Sequence, residues 1–157
     1  MNDIHIEERL EHVCDWGIQA LSDEAQAITD LIPQIDDNFT KAVNMMYNCY
    51  GKIIVTGVGK SGNIGAKIAA TLASTGTPAF FISPLDVYHG DLGVMTSSDV
   101  VLALSNSGQT DELLRFIPVV LHMIIPLISM TCYPNSLLAK YSNAHIQVKV
   151  EKEACPL

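Results

Sequence analysis

The N-terminal third of the chain carries apolar side chains at intervals of three and four residues, a periodicity typical of amphipathic helices. The first apolar stripe extends from Ile6 to Ile32 and predicts one long helix that Pro33 ends. The second extends from Phe39 to Cys49 and predicts another helix, which either Asp36 or Asp37 can cap. We therefore expect two helices over residues 1–50.

Beyond residue 51 the pattern changes to short, continuous apolar runs, which are typical of strands buried on both faces of a sheet. Helical stripes separate these runs, except where residues 83–98 form a long irregular connection. The predicted strands are Ile53–Thr56, Ala79–Ile82, Asp99–Leu104, Ile124–Met130 and His145–Val150. This alternation predicts an α/β fold, a parallel sheet with helices on both faces, whose ligands gather at the C-terminal ends of the strands.

Length and composition indicate one globular domain that associates with copies of itself. The 157 residues suffice for a single domain, with helices over residues 1–50 and an α/β core over residues 51–157. Hydrophobic residues make up 48% of the chain, and its mean hydropathy is +0.26. Because only 17% of the residues are charged, we expect partner subunits to cover part of the surface.

Charge and cysteine spacing exclude several classes of protein. A net charge of −8 argues against binding to nucleic acid. The four cysteines, at positions 14, 49, 132 and 155, are far apart, which favours reduced thiols over disulfides or a zinc site. We predict neither a metal nor a cofactor. With no signal pattern and no apolar run of spanning length, we expect a cytoplasmic protein without a membrane partner.

The first predicted strand ends in a glycine-rich turn, Gly57–Gly62, and the helix after it is expected to start near Ser61. The N–H groups at such a helix terminus favour an anion, above all phosphate. The glycine spacing also fits a dinucleotide-binding turn, but that motif requires an acidic residue where Ile82–Pro84 stand. A tight turn without a ligand is the structural alternative. We favour a phosphorylated small molecule.

The third predicted strand ends in a second loop of this kind, Ser105–Thr110. It offers the hydroxyl groups of Ser105, Ser107 and Thr110 and the amide of Asn106, which can surround a phosphate with neutral donors. Taken alone, such a loop more often only caps a helix. The presence of both loops favours a ligand, with one loop holding the phosphate and the other facing the reacting end.

Short motifs occur in a characteristic order along the chain. They are Gly57–Gly62, Ala73–Pro78, His89–Gly93 and Ser105–Gly108, followed by the ending Val148–Leu157. Together they resemble the sugar isomerase (SIS) domain of bacterial arabinose-5-phosphate isomerases, over most of the chain from residue 51 onward. The resemblance implies a five-stranded doubly wound sheet in flavodoxin-like order and a homotetramer. It also implies interconversion of D-ribulose 5-phosphate and D-arabinose 5-phosphate through an enediol, towards the Kdo sugar of lipopolysaccharide.

The resemblance further implies roles for individual residues. Matched by motif, the family's catalytic lysine falls on Lys60 and its two catalytic glutamates fall on Glu112 and Glu153. Its sugar site falls on Gly76, Thr77 and His89, which join the loop residues Gly59, Ser61, Ser105, Asn106, Ser107 and Thr110. Moving a carbonyl between adjacent carbons requires a base for a carbon-bound proton and a cation for the enediolate. Our hypothesis is Glu153 or Glu112 as the base and Lys60 as the cation.

These side chains also have simpler interpretations. Lys60 can be a solvated lysine, Glu112 an acid favoured by the helix dipole, Glu153 a charge on a solvated tail and His89 a structural histidine. The family continues into a further helix, a His-Pro-Gly-Gly motif with an active-site histidine and usually a pair of CBS domains, whereas this sequence ends at Leu157, as expected for either a truncated form or fragment, or a degenerate relative. The alternative function is therefore a non-catalytic domain that senses a sugar phosphate.

Overall fold

The computed structural model of the chain describes residues 12–86 and 91–152. The described residues fall into two compact units, residues 12–34 with residues 150–152, and the described part of residues 35–149. In the first unit, helix α1 occupies Val13–Thr29 and a 3-10 helix follows at Ile32–Gln34. The helix therefore ends before Pro33, as predicted, whereas its predicted start near Ile6 lies outside the described residues. Lys152 Nζ lies 2.7 Å from Asp23 Oδ2, so an ion pair joins the two ends of the chain within this unit.

The second unit alternates strands and helices. Its strands are β1 (Ile53–Gly57), β2 (Ala79–Phe81), β3 (Val100–Leu104), β4 (Leu127–Thr131) and β5 (Ala144–Gln147). Its helices are α2 (Asp37–Tyr47), α3 (Gly59–Ser74), α4 (Asp111–His122) and α5 (Leu137–Tyr141), with a 3-10 helix at Asp91–Val94. All strands are parallel, in the order β2-β1-β3-β4-β5. This confirms the predicted five-stranded, flavodoxin-like sheet.

Helices cover both faces of the sheet, which explains why the central strands β1 and β3 are continuous apolar runs, whereas the edge strand β2 is only partly buried. On one face, Ile54 and Val101 pack with Leu113 and Phe116 of α4 and with Leu138 of α5. The other face is packed against α2 and α3, through the set Ile53, Val55, Leu102, Ile128, Ala42 and Ala69. Each of these side chains is at most 4% exposed. In the described ranges, no helix is both long enough and apolar enough to cross a membrane.

Helix α2 begins as the sequence indicated, and the structure decides between the two candidate caps. The Asp36 carboxylate accepts hydrogen bonds from the backbone N–H groups of Asn38, at 2.9 Å, and Phe39, at 3.2 Å. Asp37 is already inside the first turn. Hydrogen bonds from the Asn38 side-chain amide and from the backbone N–H of Phe39 lower the pKa of Asp36.

The fourth and fifth strands are shorter than predicted. The apolar run predicts a strand from Ile124, but Ile124 has φ 57° and lies in the turn between α4 and β4, so the strand begins only at Leu127. Strand β5 ends at Gln147 rather than Val150, because its partner β4 ends at Thr131. The last bond between them runs from Val148 N–H to the Thr131 carbonyl, at 2.9 Å.

A buried carboxylate ties the starts of β1 and β3 together at the N-terminal edge of the sheet. Asp99, which the sequence placed in a strand, precedes β3 and is 1% exposed. Its carboxylate accepts bonds from the backbone N–H groups of Lys52 and Thr96, at 3.0 and 2.7 Å, and from Lys52 Nζ, at 2.8 Å. Burial opposes ionisation, but these bonds to Lys52 and Thr96 hold the pKa of Asp99 below its ordinary value.

Candidate active site

The glycine-rich turn after β1 requires its glycines for two different reasons. Gly59 has φ 59°, in the left-handed region that other residues adopt only with strain. Gly57 and Gly62 instead permit close backbone approach. A Cβ on Gly62 would lie 2.9 Å from the Gly57 carbonyl oxygen. A Cβ on Gly57 would lie 3.0 Å from the Leu104 carbonyl oxygen. The motif therefore brings β1, α3 and the end of β3 together tightly.

Lys60 lies inside helix α3 rather than before it. The helix was expected to start near Ser61, but it begins at Gly59, so Lys60 belongs to the first turn and is exposed. Backbone N–H groups of this turn have no partner within the helix and carry partial positive charge. Lys60 adds a full charge to that site, so the turn favours an anion more strongly than either feature would alone.

The loop after β3 is held in place by its own hydroxyl groups. Ser105 is only 4% exposed, and its Oγ accepts a bond from Gly108 N–H at 3.0 Å and lies 2.8 Å from Thr110 Oγ1. Gly108 has φ 61°, and a Cβ there would overlap the side chain of Ser136. Ser105 and Thr110 thus shape the loop, while Asn106 and Ser107 are exposed.

A cavity of about 300 Å³ lies at the C-terminal edge of the sheet, beside the point where the strand order reverses. Four of the predicted site residues line it, namely Lys60, Ser61, Ser105 and Asn106. Residues of both strand-end loops therefore face one space. The remainder of the lining is mostly apolar and comprises Ile64, Ile68, Leu104, Met130, Thr131, Cys132 and Val148.

Other predicted site residues are not part of this lining. Glu112 is half-buried in the first turn of α4. Gly59 and Ser107 are next to lining residues along the chain, and Thr110 Oγ1 lies 2.8 Å from Oγ of the lining residue Ser105. Gly76, with φ 97°, and Thr77 follow α3 and precede β2, which places them at the N-terminal edge of the sheet, opposite the cavity. His89 and Glu153 lie outside the described residues.

Sequence reasoning missed the segment that forms one wall of the cavity, Met130 to Cys132 at the end of β4. This segment is bonded directly to the loop after β3. Ser105 N–H donates to the Met130 carbonyl at 3.1 Å, and Cys132 N–H donates to the Asn106 carbonyl at 3.0 Å. The segment has no glycine-rich or hydroxyl-rich motif, so only its position in the sheet, next to β3, could have identified it.

Within the described residues, no group of three or more histidine, cysteine, aspartate or glutamate side chains is arranged to hold a metal ion. The donors around the cavity are hydroxyl groups, backbone amides, one side-chain amide and one ammonium group. Such a set suits an oxyanion such as phosphate.

Comparison with known proteins decides the family. Residues 45–156 match the model of the SIS domain. The chain belongs to the SIS domain family. This SIS domain is 49% identical over 141 residues to arabinose 5-phosphate isomerase KdsD of Escherichia coli K12, covering 90% of this chain and 43% of that protein. KdsD of Pseudomonas aeruginosa is 49% identical over 134 residues, covering 85% of this chain and 41% of that protein.

A solved structure supports the same assignment. Protein c3406 of Escherichia coli CFT073, determined in complex with arabinose 5-phosphate, superposes with a TM-score of 0.83 and 36% identity, covering 99% of this SIS domain and 79% of that chain. The fold and the family are therefore shown. The chain spans only 43% of the length of the Escherichia coli K12 relative, so more than half of that protein lies outside the matched region.

Proposed function

We propose that this SIS domain is the catalytic part of an aldose–ketose isomerase that interconverts D-ribulose 5-phosphate and D-arabinose 5-phosphate, in the biosynthesis of Kdo and lipopolysaccharide. The observation that carries the proposal is 49% identity over 141 residues to arabinose 5-phosphate isomerase KdsD. The cavity supports it independently, because Lys60 and the loop after β3 surround one space suited to a sugar phosphate.

The reaction moves a carbonyl between C1 and C2 without net oxidation. From the aldose side, a base removes the proton on C2 while the C1 oxygen gains a proton, which gives the enediol. Loss of the proton on the C2 oxygen and protonation of C1 then complete the ketose. We assign the base to Glu112 or Glu153, and the stabilisation of the developing oxyanion to the Lys60 ammonium.

Binding is assigned to the two strand-end loops. The phosphate is held by N–H and hydroxyl donors of the loop from Ser105 to Thr110, where Ser107 and Asn106 are exposed and Ser105 fixes the loop. The sugar then extends towards Lys60 and Ser61, which line the same cavity. In this arrangement Gly76 and Thr77 can reach a ligand only from a second copy of the chain, because they lie at the opposite edge of the sheet.

That geometry agrees with the proposed assembly, a homotetramer in the cytoplasm that acts on a sugar phosphate and has no nucleic-acid or membrane partner. Helix α1 has no buried residue, although it carries an apolar stripe. An apolar surface of this kind is typical of a face that another subunit covers.

The deciding experiment is a turnover assay that starts from D-ribulose 5-phosphate in D2O and follows the aldose product and deuterium at its C2 by NMR. The assay is run on this chain and on a chimera that adds the C-terminal part of Escherichia coli KdsD, because this chain spans 43% of that protein. We expect product with deuterium at C2, since the base exchanges its proton with solvent. Binding of the sugar phosphate without turnover in both proteins would instead identify a sensing domain.

A further inference from the structure

The hydroxyl group of Thr131 has a complete set of hydrogen bonds only if a neighbouring histidine donates to it. Thr131 is 1% exposed at the end of β4, and its Oγ1 donates to the Tyr133 carbonyl at 2.9 Å. The same oxygen accepts a bond from Tyr133 N–H at 3.1 Å and lies 3.0 Å from His145 Nε2. A hydroxyl group has one hydrogen to donate and two lone pairs. With its hydrogen on the Tyr133 carbonyl, the hydroxyl group can only accept from Nε2, and this arrangement requires the tautomer that carries a proton on Nε2.

His145 sits on β5, one strand further from the cavity than Thr131. It is half-buried, and this burial lowers its pKa, although the negative charge of Asp36 at the start of α2 and a hydrogen bond with the Thr131 backbone oppose the shift. A neutral imidazole carries its single proton on either nitrogen, and the bond that it makes fixes which one. The Thr131 contact therefore selects the tautomer with the proton on Nε2.

The Thr131 segment is in turn bonded to the loop that lines the cavity. Cys132 N–H donates to the Asn106 carbonyl at 3.0 Å, and a Cβ built on Gly108 would lie 3.2 Å from Thr131 Cγ2. Thr131, Cys132 and Asn106 are all part of the cavity lining. A shift of the Thr131 side chain would thus be transmitted to the loop after β3 by direct contact.

We propose that His145 is a positioning residue for this site: its Nε2–H donates to the Thr131 hydroxyl and so fixes the cavity wall against which the Ser105–Thr110 loop is held. As a statement about substrate affinity, this rests on the proposed function, whereas the hydrogen-bond assignment does not. Sequence analysis gave His145 no role, and its side chain does not line the cavity.

The first test uses the wild-type chain and requires no activity. Two-dimensional 15N–1H correlation of the imidazole rings at neutral pH distinguishes a protonated from an unprotonated ring nitrogen. We expect His145 to show a protonated Nε2 and an unprotonated Nδ1. The opposite tautomer would overturn the proposal, because Nε2 could then only accept from Thr131.

The second test compares His145→Leu, His145→Gln, Thr131→Val and the double variant His145→Leu/Thr131→Val. Glutamine keeps an N–H donor of similar reach, so we expect His145→Gln to retain the wild-type Kd for D-arabinose 5-phosphate. Leucine should raise this Kd about fivefold, the factor expected for one ordinary hydrogen bond. The double variant should lose no more than Thr131→Val alone, since His145 acts through Thr131.

Amide resonances separate this proposal from the proposed function. In His145→Leu and in Thr131→Val the N–H signals of Gly108 and Cys132 should shift alike, and in His145→Gln they should not. If the wild type binds no sugar phosphate, the isomerase proposal fails while these shifts still decide the positioning role. Unshifted Gly108 and Cys132 signals in a folded His145→Leu variant, or additive losses in the double variant, would overturn it.

Discussion

Lys60 is the side chain at which a catalytic and a purely structural role differ most. It occupies the first turn of α3 and lines the cavity. A cation is unfavourable at a helix N-terminus, where the dipole is already positive, unless an anion lies nearby. A lysine at this position therefore gives the fold no advantage over another residue. An anionic ligand in the cavity would explain why it is there.

We predict that Lys60→Ala lowers kcat about a hundredfold or more while leaving the Kd for the sugar phosphate and the fold nearly unchanged. One preorganised donor to a developing oxyanion has an effect of this size. Steady-state kinetics and equilibrium binding measure the two quantities separately. The matched control is Lys67→Ala, which removes an exposed lysine from the same helix, outside the cavity lining. A fall in affinity that matches the fall in rate would make Lys60 a binding residue instead.

Thr56 offers a second prediction at the residue scale, because its hydroxyl group is buried without a partner. The residue is fully buried in β1, and its Oγ1 forms no hydrogen bond with the described part of the chain. We expect Thr56→Val to raise the free energy of unfolding by about 1 kcal/mol, since valine has the same shape without the desolvated hydroxyl. Urea denaturation of Thr56→Val and of Thr56→Ser, which keeps the hydroxyl and loses the methyl group, checks it. Destabilisation by valine would mean that the hydroxyl has a partner.

At the scale of elements, apolar runs predicted the strands well where both faces are buried and poorly where a run continues into a turn. The run Ile53–Thr56 matches β1, and the run Asp99–Leu104 matches β3 except for Asp99, which precedes the strand. Ile124, by contrast, is as apolar as the strand that follows, yet it is 83% exposed and has φ 57°. Hydrophobicity alone does not separate a strand residue from a turn residue, because it carries no information on backbone conformation.

Prediction of the site residues from sequence was also incomplete, because local motifs do not show which segments meet in the fold. The loops after β1 and β3 were found from sequence because glycines and hydroxyl groups mark them, and both line the cavity. Met130 to Cys132 carry no such mark and were missed. Gly76 and Thr77 were placed in the site by resemblance, but in one chain they lie at the opposite edge of the sheet. Proximity in these cases depends on strand order and assembly, which local patterns do not encode.

The N-terminal edge of the sheet supports a prediction about pH. Asp99 has a folded-state pKa below its unfolded value, so the stability it contributes is present above the unfolded pKa of about 3.9 and is lost as pH falls through the folded pKa. We expect Asp99→Asn to lower the free energy of unfolding by about 3 kcal/mol at pH 7, because it leaves Lys52 without its charge partner. The difference from wild type should shrink below about pH 4.

Urea denaturation at a series of pH values measures this dependence. Asp86→Asn is the matched control, since it removes the charge of an exposed aspartate. An equal loss in both variants, or a difference between Asp99→Asn and wild type that persists unchanged at low pH, would show that the buried ion pair is not the cause.

At the scale of the whole molecule, helix α1 of the first unit carries an apolar stripe that this unit does not bury. In α1, Ile18, Leu21 and Ile28 are 64%, 69% and 68% exposed, and helical spacing places them on one side of the helix. The chain has large, buried packing layers on both faces of its sheet, so this stripe is not needed to complete the core. The simplest partner for this stripe is the same stripe on another copy of the chain, related to the first by two-fold symmetry.

We predict that the chain self-associates through this face and that Leu21→Lys/Ile28→Lys dissociates it. Burying two such side chains contributes about 3–6 kcal/mol, so their replacement should weaken association at least about a hundredfold. The matched control, Gln19→Lys/Gln26→Lys, adds the same charge on the other side of α1, where both glutamines bond to aspartates one turn on. Sedimentation equilibrium at micromolar concentration gives the mass of each variant. A wild-type monomer, or equal dissociation by both double variants, would contradict the prediction, whereas selective dissociation together with loss of turnover would show that the site depends on a second copy.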